Sequence, residues 1–188
     1  MHVETRLLEA CIREDRLAQS ELYRRCYSVL MGVCRRYIHD PDEAVSVLNA
    51  GFLKILSNLR KKRPEVPFEV WSKKIMINTV IDNFRRERRH RETMVAMESF
   101  PDNTTSAPTD LNEAAQRLDA EAIEAAIRTL PPVSREVFNL FAIDGYAHSE
   151  IAQMLGMSEG TSKWHVNFAR TRLRNLLAHW LEEDRCKV

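Results

Sequence analysis

Residues 101–110 hold Pro101 and Pro108 among Asp, Asn, Thr, Ser and Ala, with Phe100 as the one aromatic nearby. Such a run has too little apolar surface to offset the entropy of ordering it, and its prolines interrupt any helix. Residues 92–120 are therefore expected to be a flexible linker. The break divides 188 residues into an N-terminal module, 1–91, and a C-terminal module, 121–188. No internal repeat relates the two.

Both modules read as helical, which makes the expected fold class all-α: two helical domains on one flexible string. Gly and Pro are scarce, at 5 and 7, and runs of alternating β-branched residues are few. In the first module Leu7, Leu8, Cys11 and Ile12 mark a short helix. Leu22, Cys26, Val29, Leu30 and Val33 follow with the three-and-four spacing of a buried stripe. Asp40 is placed to cap a third helix, Pro41 suits its first turn, and Glu43 is spaced to reach back to the cap. Val45, Leu48, Phe52, Ile55 and Leu59 are its expected inward face. Pro64 and Pro67 make 60–67 a loop, and a fourth helix runs from about 68 to 91, with Phe68, Trp71, Ile75, Ile77, Ile81 and Phe84 as core candidates. The second module is expected to hold helices at 118–129, 133–143, 148–154 and 159–181, punctuated by Leu130-Pro131-Pro132, Asp144-Gly145 and Gly156.

The overall charge of +1 conceals a strong asymmetry. Residues 60–91 contain eleven basic and four acidic side chains, a net +7; residues 92–124 contain one basic and eight acidic, a net −7. A cationic block of that density points to a polyanion, and the acidic neighbour to a linker or internal decoy.

The most specific local pattern lies at 149–163. Ala152 is small enough for close helix crossing, and Gly156 stands where the chain must turn through a left-handed conformation. Ser158 can cap the next helix, while Glu159 suits its positive end. Ile151, Leu155, Met157, Val166, Ala169 and Leu173 supply the apolar contacts. This is a helix-turn-helix, whose second helix enters the DNA major groove by its N-terminal residues. On that helix Ser162, Val166, Ala169, Leu173 and Leu176 form the expected buried stripe. Lys163, Asn167, Arg170 and Arg174 form a polar one, with Lys163 near base edges and the two arginines at phosphates.

In the fourth helix Lys74, Asn78, Asp82, Arg85 and Arg89 recur on one face. Asn can read adenine and Arg can hold phosphate, with Asp82 expected to orient Arg86 by an i, i+4 pair. Trp71 is expected in the core, and the loop residues Arg60, Lys61, Lys62 and Arg63 are better placed to catch a strand or an extruded base.

Other classes find little support. No run approaches the 18 apolar residues of a membrane span, and the opening residues, with Glu4 and Arg6, do not resemble a secretory signal. Cys11, Cys26, Cys34 and Cys186 have no CxxC or regular spacing, so idle thiols of a reducing compartment are expected rather than disulfides or a metal site. No Gly-rich phosphate loop suggests nucleotide hydrolysis. Neither a cofactor nor a metal is expected.

Glu21-Leu22-Tyr23, residues 42–56 with Asn49-Ala50-Gly51-Phe52-Leu53-Lys54, residues 68–89 with Trp71, Asn78, Asp82 and Arg85, and the stretch from Leu130-Pro131-Pro132 to Arg174 together resemble a bacterial sigma factor of the extracytoplasmic-function (ECF) type, which keeps only sigma regions 2 and 4. The collinear likeness covers roughly 160 residues. The wording at 49–52 and 160–163 is similar to members from the Bacteroidetes. The resemblance implies a non-enzymatic, cytoplasmic specificity subunit that directs core RNA polymerase to promoter DNA. Region 2 (1–91) would bind and open the −10 element, through Arg60, Lys61, Lys62, Arg63, Lys74, Asn78, Arg85, Arg86 and Arg89. Region 4 (121–188) would bind the −35 element through Ser158, Glu159, Gly160, Thr161, Lys163, Trp164, His165, Asn167, Arg170 and Arg174. Asp42, Glu43, Ser46, Val47, Asn49 and Ala50 would dock on the β′ clamp helices of the polymerase, with the β flap as a second contact. An anti-sigma factor wedged between the modules is implied as a further partner. Ser46 and Ala50 stand where the family commonly has acid, leaving Asp42 and Glu43 to pair with the polymerase. Trp164 replaces a usual small polar residue, Phe168 a usual basic one, and Ala147 a usual Ser or Thr cap.

The linker sharpens the expectation of a polymerase. Its 29 residues reach ~100 Å fully extended but average ~30 Å as a relaxed coil, whereas two sites two duplex turns apart are separated by ~70 Å. Something must hold it drawn out. Two rivals remain: a free-standing helix-turn-helix regulator that binds duplex as a dimer, which leaves the +7 block unexplained, and a metal- or thiol-dependent enzyme using Cys26, Cys34 and His39, whose spacing does not suit a site.

Overall fold

A computed structural model of the chain describes residues 3–94 and 120–185. All the regular elements among them are helical. The chain divides into two compact units between residues 96 and 97. The expected linker, apart from its ends, and Cys186 lie outside the described residues.

The first unit contains α1 (Thr5–Ile12), α2 (Arg16–Tyr37), α3 (Pro41–Asn58) and α4 (Phe68–Met94). Capping starts two of them as their sequences require. The Asp15 carboxylate accepts from the N–H groups of Leu17 and Ala18 at 2.8 and 3.0 Å. Asp40 accepts from Asp42 and Glu43 at 2.9 and 2.8 Å, with Pro41 in the first turn. Each side-chain cap satisfies donors that the helix leaves without an internal partner. Leu22, Cys26, Leu30, Val33 and Tyr37 of α2 pack with Leu48, Phe52 and Ile55 of α3 and with Met76, Val80 and Ile81 of α4. Gly51 permits the close approach of α3 to α4, because a Cβ there would lie 2.6 Å from Cε of Met76.

Two expected faces hold at most positions, with Leu48, Phe52, Ile55 and Leu59 of the α3 face and Phe68, Ile77 and Ile81 of the α4 face buried, and depart at others. Val45 is 37% exposed, and Val47 is buried in its place. On α4 the deepest residues are Ser72, Met76 and Val80, at 0% exposure, while Trp71 and Ile75 are only half-buried. The apolar residues of α4 spread over more than one stripe, so period alone leaves its rotation undecided; its buried positions include the small side chains of Ser72 and Thr79.

The second unit contains α5 (Ala120–Arg128), α6 (Pro132–Phe138), α7 (His148–Leu155) and α8 (Glu159–Arg185). Ala126, Leu130, Phe138, Ala169, Leu173 and Leu177 form one of its apolar clusters. Leu177 takes the inward place expected of Leu176, which is half-buried. The helix expected over 133–143 changes character: α6 stops at Phe138, and residues Asn139–Ile143 form a π-helical turn. Ala147 has no side chain to cap α7, yet the Glu150 carboxylate accepts from its N–H at 2.9 Å, supplying half of a capping box. Gly156 then turns the chain with φ +67°, the left-handed conformation that glycine adopts without steric cost.

Candidate nucleic-acid interface

In the first unit α3 and α4 leave two open grooves. The larger, of about 1000 Å³, is lined by Ser46, Ala50 and Lys54 on α3 and by Asp82, Arg85 and Arg86 among others on α4. The smaller, of about 360 Å³, brings Lys54 and Asn58 of α3, Lys61 of the connection, and Trp71, Ile75 and Asn78 of α4 together. Lys54 borders both. Trp71, expected in the core, is instead a half-buried wall of this groove, packed on Phe68 at a ring separation of 5.9 Å. A ring so placed keeps apolar surface available to a stacking partner. Lys74 and Asn78 are exposed, as a DNA-facing stripe needs, and Arg85 is half-buried. Arg89 lies on α4, but its side chain is outside the described residues.

The expected loop at 60–67 begins as a 3-10 turn, Leu59–Lys61, anchored by buried Leu59. It separates the four cations. Lys61 reaches the Trp71 groove, whereas Arg60 donates to the Ile12 carbonyl at 3.2 Å and Lys62 to the Arg63 carbonyl at 3.0 Å. Arg60 is thereby held against the end of α1.

The ion pairing also differs from the spacing. Asp82 does not pair with Arg86. Its carboxylate accepts from Lys54 of α3 at 3.0 Å, and Arg86 donates to the Asn83 side-chain oxygen at 2.6 Å. A cross-helix partner lies closer than the one a turn away. Sequence reasoning missed Lys54 and Asn83; the odd basic residue in the apolar α3 pattern is the signal for the first.

Glu43 does not reach back to its own helix start. It accepts from the Asn83 amide at 2.7 Å, and the same amide donates to Glu87 at 2.9 Å. A hydrogen bond with the Glu87 carboxylate, then burial, raises the Glu43 pKa above its ordinary value. Val47, proposed from the resemblance as a docking residue, is 5% exposed and belongs to the core. Asp42, Ser46, Asn49 and Ala50 are exposed, with Asn49 fixed as acceptor of the Tyr23 hydroxyl at 2.8 Å.

In the second unit α7, the turn at Gly156 and α8 form the helix-turn-helix. Ser158 accepts from the Thr161 N–H at 3.0 Å and shares a hydrogen bond with the Thr161 hydroxyl at 2.8 Å. Ser162, Val166, Ala169 and Leu173 are buried, leaving Glu159, Gly160, Thr161, Lys163, Asn167 and Arg170 exposed and Arg174 half-buried. Trp164 is half-buried and stacks on Phe168 at 5.3 Å. His165 departs from expectation. At 6% exposure it faces the core, where its Nδ1 and the buried Ser134 hydroxyl share a hydrogen bond of 2.9 Å. Burial lowers its pKa, so neutral His165 joins α8 to α6 and does not face outward.

Cys26 and Cys34 do not make a reactive site. Burial pushes Cys26 and Cys34 up to about 12, away from the thiolate that a nucleophile or metal ligand must provide. Among the described residues no group of three His, Cys, Asp or Glu could hold a metal, and no helix is long and apolar enough to cross a membrane.

Comparison with known proteins follows the division of the chain. The family model described as sigma-70 region 2 matches residues 22–90, and that described as sigma-70, region 4 matches residues 120–173. The ECF RNA polymerase sigma factor SigM of Mycobacterium tuberculosis is 28% identical over 178 residues, covering 94% of this chain and 85% of that protein. The RNA polymerase sigma factor CarQ of Myxococcus xanthus is 25% identical over 160 residues, covering 85% of this chain and 89% of that one. Among solved structures, the sigma factor RpoE of Bartonella quintana, crystallised with the anti-sigma factor NepR, aligns with a TM-score of 0.50 at 20% identity, over 85% of this chain and 96% of that chain.

Proposed function

Because the chain belongs to the sigma-70 family, as an ECF-type sigma factor that directs core RNA polymerase to promoters and initiates DNA-templated transcription, we propose that its two units divide promoter recognition as follows from their surfaces. Residues 1–91 bind core polymerase and open the −10 element. Residues 121–188 bind the −35 element as duplex, and the acidic stretch 92–120 is the connecting linker, held extended by the polymerase.

The observation that carries the −10 half is the groove in which Trp71 meets Lys54, Lys61 and Asn78. An unstacked base needs an aromatic face, an amide for its edge and a cation for its phosphate, and here all three are within one concavity. Lys74, Arg85 and Arg86 add cations along α4, where Arg89 also falls in the sequence, and Arg60, Lys62 and Arg63 flank Lys61 in the chain. Opening is then driven by capture of single-stranded bases rather than by hydrolysis.

The −35 half is supported by α8, whose outward residues Lys163, Asn167 and Arg170 follow a capped N-terminus with Glu159, Gly160 and Thr161 in its first turn. Trp164 adds apolar surface for a thymine methyl, and Arg174 a phosphate contact. Asp42, Ser46, Asn49 and Ala50 are the proposed polymerase-facing set on α3, with Glu43 oriented by Asn83, and the β flap the contact of the second unit. An anti-sigma protein, the cytoplasm as the site of action, and the Bacteroidetes-like character of residues 49–52 and 160–163 belong to the same proposal.

Run-off transcription from a genomic fragment library, with core polymerase alone or with this protein added, tests the reading. New start sites appear only with the protein. Trp71→Ala retains the promoter-bound complex but loses permanganate reactivity at unpaired thymines. Full reactivity in that variant removes the groove from the mechanism, and specific binding by the protein without polymerase favours the free-standing regulator.

A further inference from the structure

Three parts of the second unit each contribute one group to a single stack. Phe141, in the π-helical turn, lies flat against His148, the first residue of α7, with ring centroids 4.4 Å apart and planes 17° from parallel. The guanidinium carbon of Arg170, on α8, stands 5.5 Å from the centroid of Phe141. At the inner end, Nδ1 of His148 and the hydroxyl of Ser162, which is fully buried, share a hydrogen bond of 2.9 Å. The stack is thus anchored in the core by Ser162 and finishes at the surface on Arg170, which is exposed and forms no ion pair with a carboxylate of the described residues.

We propose that Phe141 is a positioning residue for duplex binding: its ring holds the Arg170 guanidinium in place to receive a backbone phosphate of the DNA lying along α8. The proposal rests on the assignment of α8 to the −35 duplex. Its physical basis is the difference between a ring and a carboxylate as a partner for arginine. A carboxylate occupies N–H donors and cancels the charge. A ring occupies neither, so every donor and the full charge stay available for phosphate. It also orders a long side chain before the DNA arrives, which lowers the entropic cost of binding. The π-helical turn carries the ring: Leu140 is fully buried while the next residue, Phe141, is half-buried and packs against His148 at the start of α7. Departures from α geometry of this kind often mark functional positions. By contrast, the Trp164–Phe168 pair lies within α8 itself.

The test is a fluorescence titration of the full chain with a labelled random-sequence duplex of about 30 base pairs, since phosphate contacts do not depend on sequence. It is run at several salt concentrations and near pH 8, where His148, whose pKa is lowered chiefly by burial, is neutral. Arg170→Ala weakens binding and lowers the slope of log K against log salt by about one. Phe141→Leu, which keeps the apolar bulk without the ring, weakens binding about two- to five-fold; Phe141→Tyr restores it. In an Arg170→Ala background Phe141→Leu has no further effect, which distinguishes positioning from a folding defect, because a folding defect would persist there. Additive losses, or unchanged binding by Phe141→Leu while Arg170→Ala is weakened, overturn the proposal. If Arg170→Ala itself changes nothing, the assignment of this face of α8 to DNA fails, and the proposal with it.

Discussion

The two units solve opposite problems with their polar side chains. In the first, three polar links join helices, and two of them involve residues that line the larger groove: Lys54 with Asp82 and Glu43 with Asn83, while Tyr23 with Asn49 ties α2 to α3. In the second, two of the links lie beneath the recognition helix, where Ser134 meets His165 and Ser162 meets His148. Cations of the first unit are therefore partly engaged before DNA arrives, and binding must exchange partners. The outward residues of α8 are supported from below and stay available. A surface that separates strands has to rearrange, while one that reads a duplex gains from being set in advance.

The largest effects test whether the two units unfold separately. Ile151→Ala and Ile55→Ala each remove a fully buried side chain and should cost about 2–5 kcal/mol of the unit concerned. Differential scanning calorimetry should show only one of two transitions shift for each; movement of both by either variant would break the comparison.

Ser134→Ala comes next. It leaves buried Nδ1 of His165 without its hydrogen bond, at a cost of about 1–3 kcal/mol. Urea titration of the second unit's transition measures it, and a loss confined to the first unit would contradict the assignment.

The pH dependence should carry opposite signs. His165 has a pKa below its ordinary 6.5, so its contribution is complete above that value and is lost as pH falls through the lowered one. Glu43 has a pKa above its ordinary 4.5, so its contribution is complete below that value and is lost as pH rises through the raised one. Thermal melts between about pH 5.5 and 7, above the range in which Glu21 and Glu69, lowered by their Arg25 and Lys73 partners, add stability with pH, should show the second unit gaining stability with pH and the first losing it. His165→Gln and Glu43→Gln should flatten the respective slopes, and slopes of the same sign would remove this part of the contrast.

The smallest effect concerns Asp82. Its pair with Lys54 is exposed and contributes under about 1 kcal/mol. Asp82→Asn releases Lys54 and removes an acid from the groove wall, so affinity for single-stranded DNA should rise about two- to five-fold. Weaker binding would make Asp82 a contact rather than a competitor.

Much of the second unit was legible because its signals are local. Gly156, the Ser158 cap and the outward stripe of α8 depend on neighbours within a turn or two. The half capping box at Ala147 does not show in the capping residue, whose side chain has no acceptor, because the bond is supplied by Glu150, three residues on. In the first unit the helices and most of their inward residues were legible, but single positions on α3 and α4 were not. Val45 and Val47, two residues apart, lie on opposite sides of α3, and their equal hydrophobicity does not say which is inside; Trp71 is apolar enough for the core yet lies on a groove.

From composition and spacing alone come two helical modules, a cationic α4, an acidic stretch after it and a helix-turn-helix, because periodicity, capping and turn chemistry are properties of short runs of chain. Tertiary structure alone decided that Asp82 takes Lys54, that Glu43 turns to Asn83, that His165 points inward and that Phe141 supports Arg170. Each of these is a meeting of two helices, set by how closely they pack and how far each is rotated, and such pairings are written in no single segment.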